Sequence, residues 1–395
     1  MTKNRFSVQR PFDSKFSTTL TFSFLYPLGP AALILAPIVV GGLIEDYGFS
    51  EHQAATVASA EGAGIVVASV AASLWVRKVS WISAIGILLT AYAAINFLST
   101  KIDDFSALAM VRFIAGLIGG SIFAISVAGL GDNNQPDRAF GLAQGAQGVA
   151  MFAAFSAAPI LIQNGGVAAI FALLAVSALI LLFALHRLPS AGEQHTHSQP
   201  SSGRGQSLAL IFLGLTASLV FFVNIFGFWS FAERIGDNAK LSRNVVSLAL
   251  GLSQIAAIAG AVATTIVGEK LGRFTPLLVV LIVQSLAMAV LLLPFNGLIY
   301  VVSLCLFQAF FIIGVSYQMG VIAKLDIAGR FLVLMTAAQG IGAALGPSVG
   351  AQMIVDHDYS RLIYMAVACC VISSICFLFI VRQYHEGRSD DDQTV

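Results

Sequence analysis

Long apolar runs separated by short polar breaks occupy almost the whole chain. Crossing about 30 Å of hydrocarbon takes roughly 20 apolar residues, and a helix satisfies its own backbone hydrogen bonds, so each run predicts a membrane-spanning helix. The pattern predicts an all-α membrane protein with six spans on each side of one polar stretch. The predicted spans are residues 19–43, 53–75, 80–99, 105–130, 139–162, 166–186, 207–231, 244–267, 275–294, 297–323, 331–354 and 360–381.

The polar stretch at residues 187–206 contains Gly, Ser and Pro and predicts a flexible cytoplasmic linker. It divides the chain into an N-terminal bundle, residues 1–186, and a C-terminal bundle, residues 207–395, which ends in a short polar tail. Loops rich in Lys and Arg stay in the cytoplasm, so their distribution predicts orientation. With both termini inside, the inner segments hold fifteen Lys and Arg residues and the outer loops hold five. We therefore expect cytoplasmic termini and a plasma membrane of the bacterial inner-membrane type.

Composition supports a membrane protein and excludes other classes. Hydrophobic residues make up 57% of the chain and charged residues 10%, against roughly 25% charged in an ordinary soluble domain. The net charge is only +1 and Lys and Arg are not clustered, so the sequence does not favour binding to nucleic acid. The four cysteines lie in apolar runs without metal-ligand spacing, and no nucleotide-binding Gly-rich loop is present. We therefore expect no metal site, no cofactor and no enzymatic activity.

A weak internal repeat relates the two halves. Similar residues recur 192 or 193 positions apart, at equivalent points of the six-span pattern. The pairs are Arg138 and Arg330, Gln147 and Gln339, Glu61 and Gln254, and Arg77 and Lys270. Parallel repeats of this kind build two bundles around a binding site near the middle of the membrane.

Two motifs resemble those of the major facilitator superfamily. The loop Gly268-Glu269-Lys270-Leu271-Gly272-Arg273 is similar to that family's acidic-basic-x-Gly-Arg cytoplasmic signature, and the equivalent loop of the first half keeps its basic part at Arg77 and Lys78. In the fourth span, Arg112-Phe113-Ile114-Ala115-Gly116 resembles the family's embedded Arg-x-x-x-Gly element. The resemblance implies two six-helix bundles that move a solute by alternating access. It also implies a gating role for Arg77, Glu269, Lys270 and Arg273.

Glu61 and Arg112 are the charged residues that fall deep inside predicted spans. A charge at the bilayer centre costs about 2.5–3.5 kcal/mol, so such residues usually face a cavity or a partner. Both lie seven or eight residues from the outer ends of their spans, which places them at matching depth. The sequence predicts that Glu61 and Arg112 handle a coupling proton. A static ion pair is one alternative, and binding of an anionic solute by Arg112 is another.

Aromatic and amide residues are the candidates for solute contact. An apolar aromatic wall with a few amides is typical of small-molecule sites, and residues three or four apart share one face of a helix. The resemblance makes the seventh and tenth spans cavity helices, and both are rich in aromatic residues. Trp229, near a span end, is expected to be an interfacial anchor. The candidates are Arg112, Tyr26, Phe221, Asn224, Phe228, Gln254, Gln308, Phe311, Gln318, Gln147 and Gln339.

These observations together predict a secondary active transporter. We expect it to move a small amphipathic or aromatic organic solute across the membrane by alternating access, with protons as the coupling ion. An uptake symporter for an organic anion recognised by Arg112 is an alternative, and so is a non-transporting membrane receptor or scaffold. The expected partners are the solute, a proton or other coupling ion, and the lipid bilayer, and the chain is expected to be a monomer.

Overall fold

The computed structural model describes residues 16–133, 136–189, 208–268, 270–325 and 330–393. Within these ranges the chain is almost entirely helical and forms no β-strand. Short 3₁₀ helices cover Tyr26–Leu28, Leu185–Arg187 and Val290–Leu292. The α-helices are α1 Phe16–Leu25, α2 Ala31–Ile34, α3 Ala36–Tyr47, α4 Glu51–Trp75, α5 Trp81–Ser99, α6 Phe105–Gly131, α7 Pro136–Leu182, α8 Leu208–Ser230, α9 Ala232–Asn238, α10 Arg243–Val267, α11 Phe274–Ala289, α12 Gly297–Leu325, α13 Arg330–Gln352 and α14 Ser360–Gln393.

The predicted all-α membrane fold is confirmed. In the described part of the chain, nine helices are long and apolar enough to cross a membrane. Every predicted span coincides with helical segments, and most ends agree to within a few residues. The count of twelve spans, the bundle boundaries and the cytoplasmic termini stay predictions. Residues 190–206 of the predicted linker and Glu269 lie outside the described residues.

Prolines break the first predicted span into three α-helices. Pro27 is the second residue of the 3₁₀ turn between α1 and α2, Pro30 directly precedes α2, and Pro37 lies in the first turn of α3. Proline lacks a backbone N–H and clashes with the preceding turn, so a helix cannot continue regularly through it. The break places the side chain of Tyr26 at a bend rather than on a straight helix.

Helix α7 joins two predicted spans through a one-residue bend. Its only non-helical residue is Gly166, with φ 60° and ψ −161°, whereas the sequence predicts a short loop near residues 163–165. Asp46 of α3 accepts a hydrogen bond from the Val167 N–H at 2.5 Å and so caps the helical segment that follows the bend. Helix α14 likewise continues twelve residues beyond its predicted end, because hydropathy marks the apolar length and not the whole helix.

Helices α1–α7, called here the N-terminal half, pack against helices α8–α14, called the C-terminal half, mainly through α4 with α13 and α7 with α10. On the first seam, the Ser348 hydroxyl and backbone N–H bond to the Ser59 hydroxyl at 2.8 and 3.2 Å. Gly62 lies against Ala344 in the same seam. Small residues allow helices to approach this closely. The two seams leave a space between the halves.

Candidate functional site

A cavity of about 610 Å³ lies between the two halves. Small-molecule sites usually measure about 300–1,000 Å³, so its size suits a small organic solute. Residues of α7, α8, α10 and α12 supply nearly all of its wall, and every described residue that lines it is uncharged. Its polar side chains are the amides of Gln144, Gln147, Gln254 and Gln308 and the hydroxyls of Thr264, Thr265 and Ser316. Its aromatic rings are those of Phe140, Phe226, Trp229 and Phe311.

Trp229 closes one end of this cavity. Its indole N–H donates to the Ile34 carbonyl of the other half at 2.7 Å, and its ring stacks on Phe307 with an interplanar angle of 7°. Only 2% of Trp229 is exposed, so its predicted role as an interfacial anchor is wrong. Contacts with Ile34 of the other half and with Phe307 hold this side chain in the interior, which its position near a span end does not reveal.

Ion pairs and hydrogen bonds connect the two halves beyond Trp229. Glu45 of α3 accepts from Arg234 at 2.9 Å and from Arg243 at 2.6 Å. Glu51 of α4 accepts from the Tyr359 hydroxyl at 2.9 Å and lies 3.1 Å from the His357 ring nitrogen. We call this region the closed end. The cavity reaches in the opposite direction as far as Thr265, near the last turn of α10.

Four of the predicted solute-contact residues line the cavity: Gln147, Gln254, Gln308 and Phe311. Tyr26 lies just behind the wall, where its hydroxyl accepts a hydrogen bond from the Gln144 amide at 3.4 Å. Gln144 was not predicted. It lies three residues before Gln147 on the same helix, so helical spacing from Gln147 could have identified it.

Helix α8 corresponds to the seventh predicted span, and the face that carries the three solute-contact candidates points away from the cavity. Phe221, Asn224 and Phe228 are fully buried in the interior of the C-terminal half, where Phe228 packs on Phe307 at 4.8 Å between ring centroids. The cavity face of α8 carries Ile225, Phe226 and Trp229 instead. The two faces differ by about one residue, or roughly 100° of rotation. Two further candidates, Gln318 and Gln339, are buried and do not line the cavity either.

Glu61 of α4 and Arg112 of α6 form a buried ion pair. The guanidinium donates to both carboxylate oxygens, at 2.5 Å from Nη2 and 3.1 Å from Nε. Its Nη1 donates to the Asn96 Oδ1 at 2.8 Å and to the Ser99 hydroxyl at 3.2 Å, and it lies over the Phe171 ring, 4.7 Å from the centroid. The side chains are 1% and 4% exposed for Arg112 and Glu61. A bidentate, fully surrounded pair is the arrangement in which buried charges are best tolerated.

This pair lies within the N-terminal half and close to the seam with α13. Neither Arg112 nor Glu61 is among the cavity-lining residues. Ser59 and Gly62, two residues before and one after Glu61, contact Ser348 and Ala344 of the other half. A change at this seam therefore reaches the turn of α4 that carries Glu61.

The predicted gating residues make different contacts in the two halves. Arg77 forms a two-pronged ion pair with Asp132 at the end of α6, with Nη2–Oδ1 at 2.7 Å, and lies over the Trp81 ring. Asp132 was not singled out from the sequence. In the second half, Arg273 lies against Gly320 of α12, and Lys270 is exposed. Glu269 is not among the described residues.

Comparison with known proteins supports one fold and one family. The sequence profile described as Major Facilitator Superfamily matches residues 16–324. No curated protein sequence matches the chain. A D-xylose-proton symporter structure has a TM-score of 0.74 at 13% identity, covering 92% of this chain and 97% of its own. The nucleoside transporter NupG has a TM-score of 0.73 at 14% identity, with coverages of 92% and 98%.

A third similar structure is a bacterial homologue of the human lysosomal transporter Spinster, solved in an inward-facing and unoccupied conformation. Its TM-score is 0.69 at 12% identity, and the match covers 93% of this chain and 97% of that one. At such low identity these structures show that the fold is shared.

Proposed function

Because the chain belongs to the major facilitator superfamily of membrane transporters, we propose that it carries a neutral, amphipathic organic solute through the central cavity by alternating access. The family makes it a multi-pass secondary transporter and not an enzyme. The solute class and the coupling ion are the parts that we propose here.

The uncharged wall of the cavity, with its amides and aromatic rings, supports this proposal. A charged solute would lose its hydration without meeting an opposite charge from the described wall, which is costly in an apolar environment. A neutral solute with hydroxyl or amide groups could bond to Gln144, Gln147, Gln254 and Gln308. Its apolar face could pack on Trp229 and Phe311. The D-xylose and nucleoside transporters among the similar structures are named for neutral, hydroxyl-bearing solutes.

Uptake of an organic anion through Arg112 gains no support from the geometry. The guanidinium is bonded to Glu61, Asn96 and Ser99, and one of its faces lies on Phe171. It has little donor capacity left, and it lies outside the cavity wall.

We assign proton coupling to Glu61. Its carboxylate is buried in an apolar bundle, so its charge depends on the Arg112 pair. Rocking of the two halves at the α4–α13 seam would disturb the turn that holds Glu61 and would expose the carboxylate to protonation. A proton on Glu61 weakens the pair and would favour the disturbed arrangement. A coupling site needs such a dependence of protonation, here at Glu61, on the arrangement of the two halves, here at the α4–α13 seam.

The solute class is tested with purified protein in proteoliposomes. Uptake of radiolabelled D-xylose, uridine and a phenyl glucoside is compared with that of benzoate, with and without an imposed pH gradient. We expect accumulation of at least one neutral solute, enhanced by the gradient, and benzoate uptake no greater than in protein-free vesicles. Uptake of benzoate alone would overturn the proposal in favour of the anion transporter.

Replacing Glu61 by glutamine tests the coupling role. We expect Glu61→Gln to lose the response of solute uptake to the pH gradient, because the amide cannot take up a proton, while gradient-independent exchange of the solute continues. Asp103→Asn is the control, since Asp103 is an exposed acid outside the helices. The control should keep the response. Undiminished gradient dependence in Glu61→Gln would show that another group carries the proton.

A further inference from the structure

A second carboxyl group of interest, that of Glu233, lies at the closed end between the two halves and has one buried oxygen. It is on α9, the short helix that follows α8. Its Oε2 is buried and has no hydrogen-bond partner among the described residues. This oxygen points at Gly41 of α3 in the other half, so closely that a Cβ at residue 41 would overlap it. The closed end therefore packs an unbonded carboxyl oxygen against the backbone of the opposite half.

The charged groups around Glu233 leave it without a counter-charge of its own. Glu45 of α3 and Asp237 of α9 are acids, and Arg234 and Arg243 are the nearby cations. Both arginines bond to Glu45, at 2.9 and 2.6 Å, and Arg234 also lies 3.5 Å from Asp237. From α12, the Tyr300 hydroxyl faces this region but donates its proton to the Ala232 carbonyl at 2.6 Å. Two cations thus serve two other acids.

Burial, together with the carboxylates of Asp237 and Glu45, raises the pKa of Glu233 to about 8 against the lowering effect of the two arginines. Separation of the halves at this end would remove Gly41 from the carboxyl group and admit water. A hydrated glutamate has a pKa near 4.3. The two conformations therefore differ in proton affinity at this residue.

We propose that Glu233 is a proton-binding site of the closed end, and that its carboxyl group must be protonated for the two halves to close there. This inference rests on the proposed alternating access and adds a second proton site to Glu61. A charged carboxyl oxygen buried without a hydrogen-bond partner, as Oε2 is here, is strongly unfavourable, whereas the neutral acid is tolerated. Closure therefore takes up one proton at neutral pH.

The direction of the pH effect follows from the raised pKa. Closure is fully supported below the pKa of the open form and loses that support as pH rises through the pKa of the closed form, about 8. Between these limits, linkage of one proton predicts that the ratio of closed to open molecules falls about tenfold per pH unit. In the predicted orientation the closed end faces outward, so an acidic exterior would favour closure and would turn the cavity toward the cytoplasm.

The test measures opening of the closed end without any solute. Spin labels at Lys101→Cys and Lys240→Cys, exposed positions on opposite halves, report the separation in a background whose native cysteines are replaced. Double electron–electron resonance distances are recorded in nanodiscs from pH 5 to pH 9. We expect the open distance to grow with pH in the parent protein, and the closed distance to persist in Glu233→Gln. An identical pH profile in both proteins, or a parent that ignores pH, would overturn the proposal.

Two further variants sharpen this experiment. Asp237→Asn removes a charge that raises the pKa of Glu233, so its pH profile should move to lower pH without disappearing. Asp103→Asn removes an exposed acid and should leave the profile unchanged. A profile that fails to move in Asp237→Asn would also contradict the role of Glu233. Failure of solute uptake with an intact profile would instead overturn the proposed function alone.

Discussion

Replacing Arg112 by alanine is expected to lower the free energy of unfolding by about 3–5 kcal/mol, because Glu61 then stays buried without its counter-charge. The same change leaves the Asn96 Oδ1 and the Ser99 hydroxyl without their donor. A typical domain is stable by only about 5–15 kcal/mol, so the loss is severe. We expect a strongly reduced yield in the membrane and a lower unfolding midpoint, measured by denaturant unfolding of purified protein in detergent micelles.

A double variant separates the loss of the pair from the loss of arginine itself. Replacing a whole buried ion pair by neutral groups is often close to harmless, so Glu61→Gln combined with Arg112→Met should recover much of the stability. Lys101→Ala removes an exposed cation and should change stability by no more than about 0.5 kcal/mol. If Arg112→Ala proves as stable as Lys101→Ala, the pair does not hold the N-terminal half together.

Hydropathy was sufficient to predict the helices, and the scarcity of charge was sufficient to single out Glu61 and Arg112 as charged residues deep inside the bundle. Both succeed because hydrocarbon forbids unsatisfied backbone groups and unpaired charges. The facing of each helix was not predictable in the same way. On α8, Phe212 is 57% exposed while Phe221 is fully buried. Since lipid and protein interior are equally apolar, the side of α8 that faces the cavity leaves little trace in the pattern of hydrophobic residues.

Charged residues near span ends are a second feature whose contacts the sequence does not predict. Glu233 and Asp132 follow apolar runs, where a charged residue is normally hydrated. Asp132 is instead 5% exposed beside Arg77, and the Oε2 of Glu233 is buried against α3. Both results depend on contacts between elements distant in sequence: the α4–α5 turn for Asp132, and the opposite half for Glu233. Local sequence carries no information about such contacts.

Glycines on α6 and α7 also differ in a way that the sequence does not predict, namely in how closely each one is packed against another helix. The sequence places Gly116 on one helix and Gly145 on the next, and both could serve close helix packing. An added Cβ at Gly116 would overlap the Glu61 carbonyl oxygen and lie 2.9 Å from its carbon, whereas no atom of the described residues lies within 4 Å of one at Gly145. Neighbouring positions confirm the tight crossing of α4 and α6, because a Cβ at Gly120 would lie 2.8 Å from the Ile65 Cα.

Gly116→Ala is therefore expected to destabilise the protein by about 3 kcal/mol or more, since overpacking against a backbone cannot be relieved by a side-chain rotation. Gly145→Ala should be neutral or stabilising by up to about 1 kcal/mol, because alanine favours a helix. The two unfolding midpoints are compared under one set of conditions, and equal midpoints would contradict the close crossing. Gly116→Ala also pushes on the residue that pairs with Arg112. The double variant Gly116→Ala with Arg112→Ala should thus lose less stability than the sum of the two single losses, as expected for two changes acting on one contact.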